Sequence, residues 1–97
     1  MFREGKTEEA LKKAEEMIKL DESKPLSWFS KGLALGNLGR NEEALAAFSK
    51  AIELDPEFSL AWYDKGLALR DLGRYEEALA AFSKAIELDP ELSLIHI

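Results

Sequence analysis

The chain repeats itself with a fixed period. Residues 25–58 and 59–92 align over 34 columns without a gap, and only eight columns differ, at positions 25, 27, 29, 30, 36, 37, 41 and 58, leaving 26 identical. A period in this range is the signature of stacked supersecondary units. One such unit cannot bury its apolar face alone, so it must lean on its neighbours, and the result is a quasi-linear array in place of a single central core.

Each unit reads as two helices. Pro25 stands where a missing N–H does no harm at a helix start, and the first helix of the first complete unit is predicted over 25–37. Gly39, and its counterpart Gly73, follow that helix at the place where a chain turns through positive φ. Gly5 lies 34 positions before Gly39 and is assigned the same role. The second helix is predicted over 42–54, with Glu42 and Glu43 in a first turn that favours negative charge. Asp55-Pro56 closes it, because proline disfavours helix in the residue before it. The next unit repeats the pattern at 59–71 and 76–88 and ends at Asp89-Pro90.

The register divides the rest of the chain. Residues 1–24 form a partial unit, mainly a second helix over 7–20 with Ala10, Leu11, Ala14, Met17 and Ile18 on one amphipathic stripe. Residues 1–3 supply the last turn of a first helix. Residues 93–97 begin a further unit or form a non-native tail, with His96 in place of the tryptophan. Neither end shows the polar capping helix that finishes a repeat array, so the chain reads as a piece of a longer one.

Trp28, Gly32, Leu35, Gly39, Ala44, Phe48, Ala51 and Pro56, repeated at Trp62 to Pro90, resemble the tetratricopeptide repeat (TPR), a 34-residue helix–turn–helix unit. Lys31 and Lys65 stand where leucine is usual, and Leu35 and Leu69 where tyrosine is usual. The resemblance implies an all-α fold, an α-solenoid of antiparallel helix pairs wound as a right-handed superhelix. It also places Trp28, Gly32 and Leu35, with Ala44, Phe48 and Ala51, in the packing between helices.

In TPR proteins the first helices of the units line a concave groove that receives a partner segment. By that resemblance the groove residues are Leu26, Phe29, Ser30, Leu33, Gly36 and Asn37, then Leu60, Tyr63, Asp64, Leu67, Arg70 and Asp71. Four of the eight differing columns, at 29, 30, 36 and 37, fall on this set, and the columns read as core do not differ. Some family members grip a terminal carboxylate with Lys, Asn and Arg from successive first helices. The matching places here hold Phe29, Leu33 and Asp64 in one register and Ser30, Leu60 and Asp64 in the other, which does not support that use. An apolar, slightly acidic groove prefers an amphipathic helix or extended segment with apolar anchors and a Lys or Arg.

Catalytic chemistry has little to stand on. The one histidine is His96, in the tail, and there are no cysteines, which removes thiolate metal sites and disulfides. The Glu pairs at 8/9, 42/43 and 76/77 sit at helix starts, where adjacent side chains point about 100° apart, so they are not paired acid–base carboxylates. The glycines are scattered singly, so no phosphate loop exists, and no cofactor is expected. With 19 acidic against 13 basic residues, net charge −6, the chain is a poor match for nucleic acid. No apolar run suggests a membrane span and no secretory signal is read, which makes a cytoplasmic location the default.

The expected function is therefore a non-catalytic protein–protein interaction scaffold. The alternative is self-assembly by end-to-end stacking or exchange of uncapped terminal helices, through Leu11 and Met17 at one end and Ala78, Leu79, Phe82 and Ile86 at the other.

Overall fold

The computed structural model describes residues 4–94. Five helices follow one another: α1 (Glu4–Leu20), α2 (Pro25–Asn37), α3 (Asn41–Leu54), α4 (Ser59–Asp71) and α5 (Tyr75–Leu88), and a 3₁₀ turn covers Pro90–Leu94. There is no strand among the described residues. Each helix packs chiefly on the ones before and after it in sequence, as a nearest-neighbour array requires. We call α2 and α4 the A helices and α1, α3 and α5 the B helices.

The turn from A to B is closed by the same motif twice. Gly39 and Gly73 both have φ of 80°. Arg40 N–H donates to the Leu35 carbonyl at 2.9 Å and Gly39 N–H to the Gly36 carbonyl at 3.0 Å, with identical bonds from Arg74 to Leu69 and from Gly73 to Arg70. This is the Schellman closure of a helix end. Gly5 does not share it: it lies inside α1. The motif draws on carbonyls two and three residues inside a finished helix, and only Glu4 precedes Gly5 among the described residues. Two of the three Glu pairs mark helix starts, with Glu43 accepting from Arg40 Nε at 2.6 Å and Glu77 from Arg74 Nε at 2.6 Å; Glu8 and Glu9 do not, because α1 begins at Glu4 and not at 7, which leaves them past its first turn. The turn from B to A is held by an aspartate, with Asp55 accepting from Glu57 N–H at 3.2 Å and Asp89 from Glu91 N–H at 3.2 Å. Residues 1–3, read as a last helical turn, and His96 lie outside the described residues.

Close approach of the two helices in a unit rests on glycine. A Cβ built on Gly32 falls 2.5 Å from the Phe48 ring, and one on Gly66 falls 2.6 Å from Phe82. Leu35, Ala44, Phe48 and Ala51 are buried around this contact, each large side chain contributing about 1.5–3 kcal/mol. The tryptophans flank the core instead of filling its centre. Trp28 Nε1–H donates to the Glu22 carbonyl at 2.9 Å and Trp62 Nε1–H to the Pro56 carbonyl at 2.8 Å, tying each A helix to the loop before it. Lys31 and Lys65, in the places where the family has leucine, lie over those rings at 5.5 and 5.2 Å, an attraction between cation and ring face.

A second buried column had no counterpart in the sequence reading. Ser27, Ala34, Ala61 and Ala68 are all nearly inaccessible, one small residue every seven along each A helix. Ala34 and Ala68 border the seams with α1 and α3 respectively. An A helix is thus packed on two sides, against its own B helix and against the B helix before it, and only one stripe is left open.

Candidate functional site

That open stripe carries Leu26, Ser30, Leu33 and Asn37 on α2 and Leu60, Asp64, Leu67 and Asp71 on α4. Leu26, Leu33 and Leu60 are exposed, at 61%, 41% and 45%, while Ser30, Asp64 and Leu67 are half-buried and Asn37 and Asp71 exposed. Between the two A helices runs a cleft of about 160 Å³. Its walls are Leu33, Gly36 and Asn37 on one side and Asp64, Leu67 and Asp71 on the other, with Gly32, Ala44, Phe48 and Ala68 as the floor. A second, wider and more open cleft of about 330 Å³ lies between α1 and α2, lined by Lys6, Thr7 and Ala10 with Ser30, Leu33 and Asn37. Leu33 and Asn37 belong to both, so the two clefts meet along α2.

Other expected groove residues stand apart from these clefts. Phe29 is buried, at 8% exposure, with its ring centroid 4.9 Å from Phe58 and 5.8 Å from Phe48. This corrects the expectation that it lines the groove. At 100° per residue, position 29 falls between the inner stripe and the outer one, and the two phenylalanines draw it inward. Tyr63 is half-buried, 5.7 Å from Phe82. Leu26 and Leu60 lie outside the cleft, and Arg70 is engaged with Asp71 at 3.4 Å. The packing columns also do differ between copies: Ser27 becomes Ala61, Phe29 becomes Tyr63 and Phe58 becomes Leu92, all at buried or half-buried places.

What the sequence reading missed is Asn41, which lines the cleft from the start of α3. It was one of the eight differing positions, and that signal could have found it.

The electrostatics of the cleft centre on Asp64. Burial pushes its carboxyl up from the usual 3.8 to about 6, since a carboxylate loses hydration there. No cation pairs with it among the described residues. No group of three or more His, Cys, Asp or Glu residues fit to hold a metal occurs among the described residues, and no described helix is long and apolar enough to cross a membrane.

Helical hairpins repeated in tandem, stacked by nearest-neighbour contact and scored by a cleft between successive A helices, define an α-solenoid repeat protein. The chain belongs to the tetratricopeptide repeat family, whose sequence profile matches residues 2–57 and 29–93. Solved structures agree. The second TPR domain of Spaghetti (RPAP3), bound to the HSP90 peptide SRMEEVD, aligns with a TM-score of 0.85 at 30% identity, covering 89% of this chain and 80% of that one. YrrB, a TPR protein with an unusual peptide-binding site, aligns at 0.84 and 31% identity over 91% of this chain and 45% of its own. A MamA structure (AMB-1) aligns at 0.81 and 33% identity over 87% and 49%. The chain thus spans about half the length of MamA and of YrrB. No curated protein matches it.

Proposed function

We propose that this chain is a non-catalytic scaffold that holds a segment of another protein along the face shared by α2 and α4. The observation that carries the reading is a convergence. Gly36, Asn37 and Asn41 from one unit and Asp64 and Asp71 from the next come from columns where the two copies differ or from their partners in the alignment, and all line one cleft. Exposed Leu26, Leu33 and Leu60 and half-buried Leu67 offer apolar anchorage beside it, the arrangement that takes an amphipathic helix or an extended segment.

The acidic character of the cleft bears on which segment. Spaghetti is seen with an acidic peptide, whereas here the same chemistry would meet Asp64 and Asp71. The favoured partner combines apolar anchors with Lys or Arg. Selection from a displayed library of random 12-residue peptides tests this: binders should share apolar residues and a basic one, and lose affinity for a Leu33→Glu, Leu67→Glu double variant that keeps its helical circular dichroism. Binders indifferent to that variant, or preferential binding of SRMEEVD, would contradict the reading.

Self-association is a second reading with its own support. Leu45 and Ile52 on α3 are covered, Ile52 to 9% exposure, while their counterparts Leu79 and Ile86 on α5 are 66% and 37% exposed. Leu11 and Ala78, also expected at the exposed ends, are instead buried at 8% and 3%. Both uncovered ends are B-helix faces, with Met17 on α1 as well as Leu79 and Ile86 on α5. The two faces are unlike, since Met17 falls in the column of Ala51 and Ala85 whereas Leu79 and Ile86 fall in the columns of Leu45 and Ile52, so the pairing is end to end. Light scattering over a range of concentrations decides it: a monomer throughout excludes this mode, and a dimer should disappear in Leu79→Lys, Ile86→Lys.

A further inference from the structure

We infer that the cleft between α2, α3 and α4 is a receptor for one basic side chain, lysine or arginine, of the bound segment, with Asp64 as its counter-charge. The inference rests on the groove reading above and gives it a definite chemistry. Its warrant is the mismatch between the cleft and its one desolvated charge. Leu33, Leu67 and the Phe48 floor are apolar, and suit the methylene stem of a long cationic side chain. Asp64 is half-buried among them with no cation of its own among the described residues, a costly state that an incoming ammonium or guanidinium relieves by a charge-assisted hydrogen bond. The amide oxygens of Asn37 and Asn41, on the cleft wall, can accept from the remaining N–H groups.

The surroundings are simple enough to make the charge readable. The residues that α2 and α3 bring to the cleft include no titratable group, and α4 adds only Asp71, which is already paired with Arg70 at 3.4 Å. A basic side chain therefore meets one dominant partner. Because burial pushes Asp64 up to about 6, the ionised fraction that receives the cation falls to about a tenth at pH 5. Binding of the cation should weaken about tenfold between pH 7.5 and pH 5.

Nuclear magnetic resonance titration of the whole chain with n-butylguanidinium chloride, against 1-pentanol as a neutral probe of similar length, tests this. At pH 7.5 the guanidinium should saturably shift the amides of Gly36, Asn37, Leu67 and Ala68, about tenfold more weakly at pH 5 and at least about fivefold more weakly in Asp64→Asn, whereas 1-pentanol should not saturate. Equal binding of both probes with no effect of Asp64→Asn would overturn the cation receptor while leaving an apolar groove in place. No saturable shift from guanidinium at pH 7.5 would overturn it too, and the peptide selection would still judge the groove separately.

Discussion

Single positions in this array carry opposite consequences for the same chemical change. Gly32 and Gly36 lie one turn apart on α2, but an added methyl at Gly32 meets Phe48 at 2.5 Å while one at Gly36 comes no nearer than 4.0 Å to Ala44. Gly32→Ala should therefore cost about 1–3 kcal/mol through overpacking, even after the helix-propensity gain, and Gly36→Ala should stabilise by up to about 1 kcal/mol. Urea unfolding of the two variants checks both signs. Asp64 gives a pH-dependent counterpart. Its folded carboxyl is raised above the unfolded 3.8 to about 6, so the stability linked to its proton is fully present below 3.8 and is lost as pH rises through about 6. The shift corresponds to at most ~3 kcal/mol, and solvent screening of a half-open side chain brings this to about 1 kcal/mol. Asp64→Asn should thus be about 1 kcal/mol more stable at pH 7, and its stability should no longer decline between pH 4 and 6. Which residues form the open stripe was largely legible in the spacing of Leu26, Leu33, Leu60, Asp64 and Leu67. Phe29 was not, because a helical wheel fixes angles but cannot say where the ring of a residue 19 positions later, Phe48, will lie.

Among the elements, nearly identical sequences should differ in stability by context alone. Helices α3 and α5 differ at one position, Asn41 against Tyr75, yet α3 is covered by α4, while among the described residues α5 has only the short 3₁₀ turn after it. Ile52→Ala should cost about 2–4 kcal/mol, whereas Ile86→Ala, at 37% exposure against 9%, should cost less than about 1 kcal/mol. Thermal unfolding of the two variants measures the difference, and equal losses would mean that α5 is covered as α3 is. The bounds of α2 to α5 were readable to within a residue because each is punctuated locally, by Pro25, Gly39, Gly73, Asp55-Pro56 and Asp89-Pro90, whereas α1, expected from 7, begins at Glu4. Gly5 carried the same punctuation and yet sits in α1. A glycine permits a turn, but the turn also needs a finished helix whose carbonyls close onto it. The small-residue column of Ser27, Ala34, Ala61 and Ala68 escaped notice for a related reason. Alanine is compatible with both a packed and a solvated face, so only the neighbouring helix decides its burial.

The stability of the whole array is a sum over interfaces, and one interface is open to test in full. In the interior, α3 receives the A helix α4 on a face that includes Leu45 and Ile52; on α5 the matching Leu79 and Ile86 face water. By the 34-residue register, position 93 corresponds to Ser59. Replacing residues 93–97 with the α4 sequence, Ser59 to Asp71, should therefore dock a new A helix on α5. Covering Leu79 and Ile86 should add about 2–4 kcal/mol of apolar burial, less the entropy of ordering the added turns, and should raise the thermal midpoint by several degrees. The same cover should remove any concentration-dependent association through that face. A neutral or lower midpoint with unchanged light scattering would show that α5 does not present the surface α3 does, despite the shared sequence. A higher midpoint with persistent association would place the contact between copies elsewhere, and α1 at the other end offers Met17 and Leu20, 48% and 87% exposed.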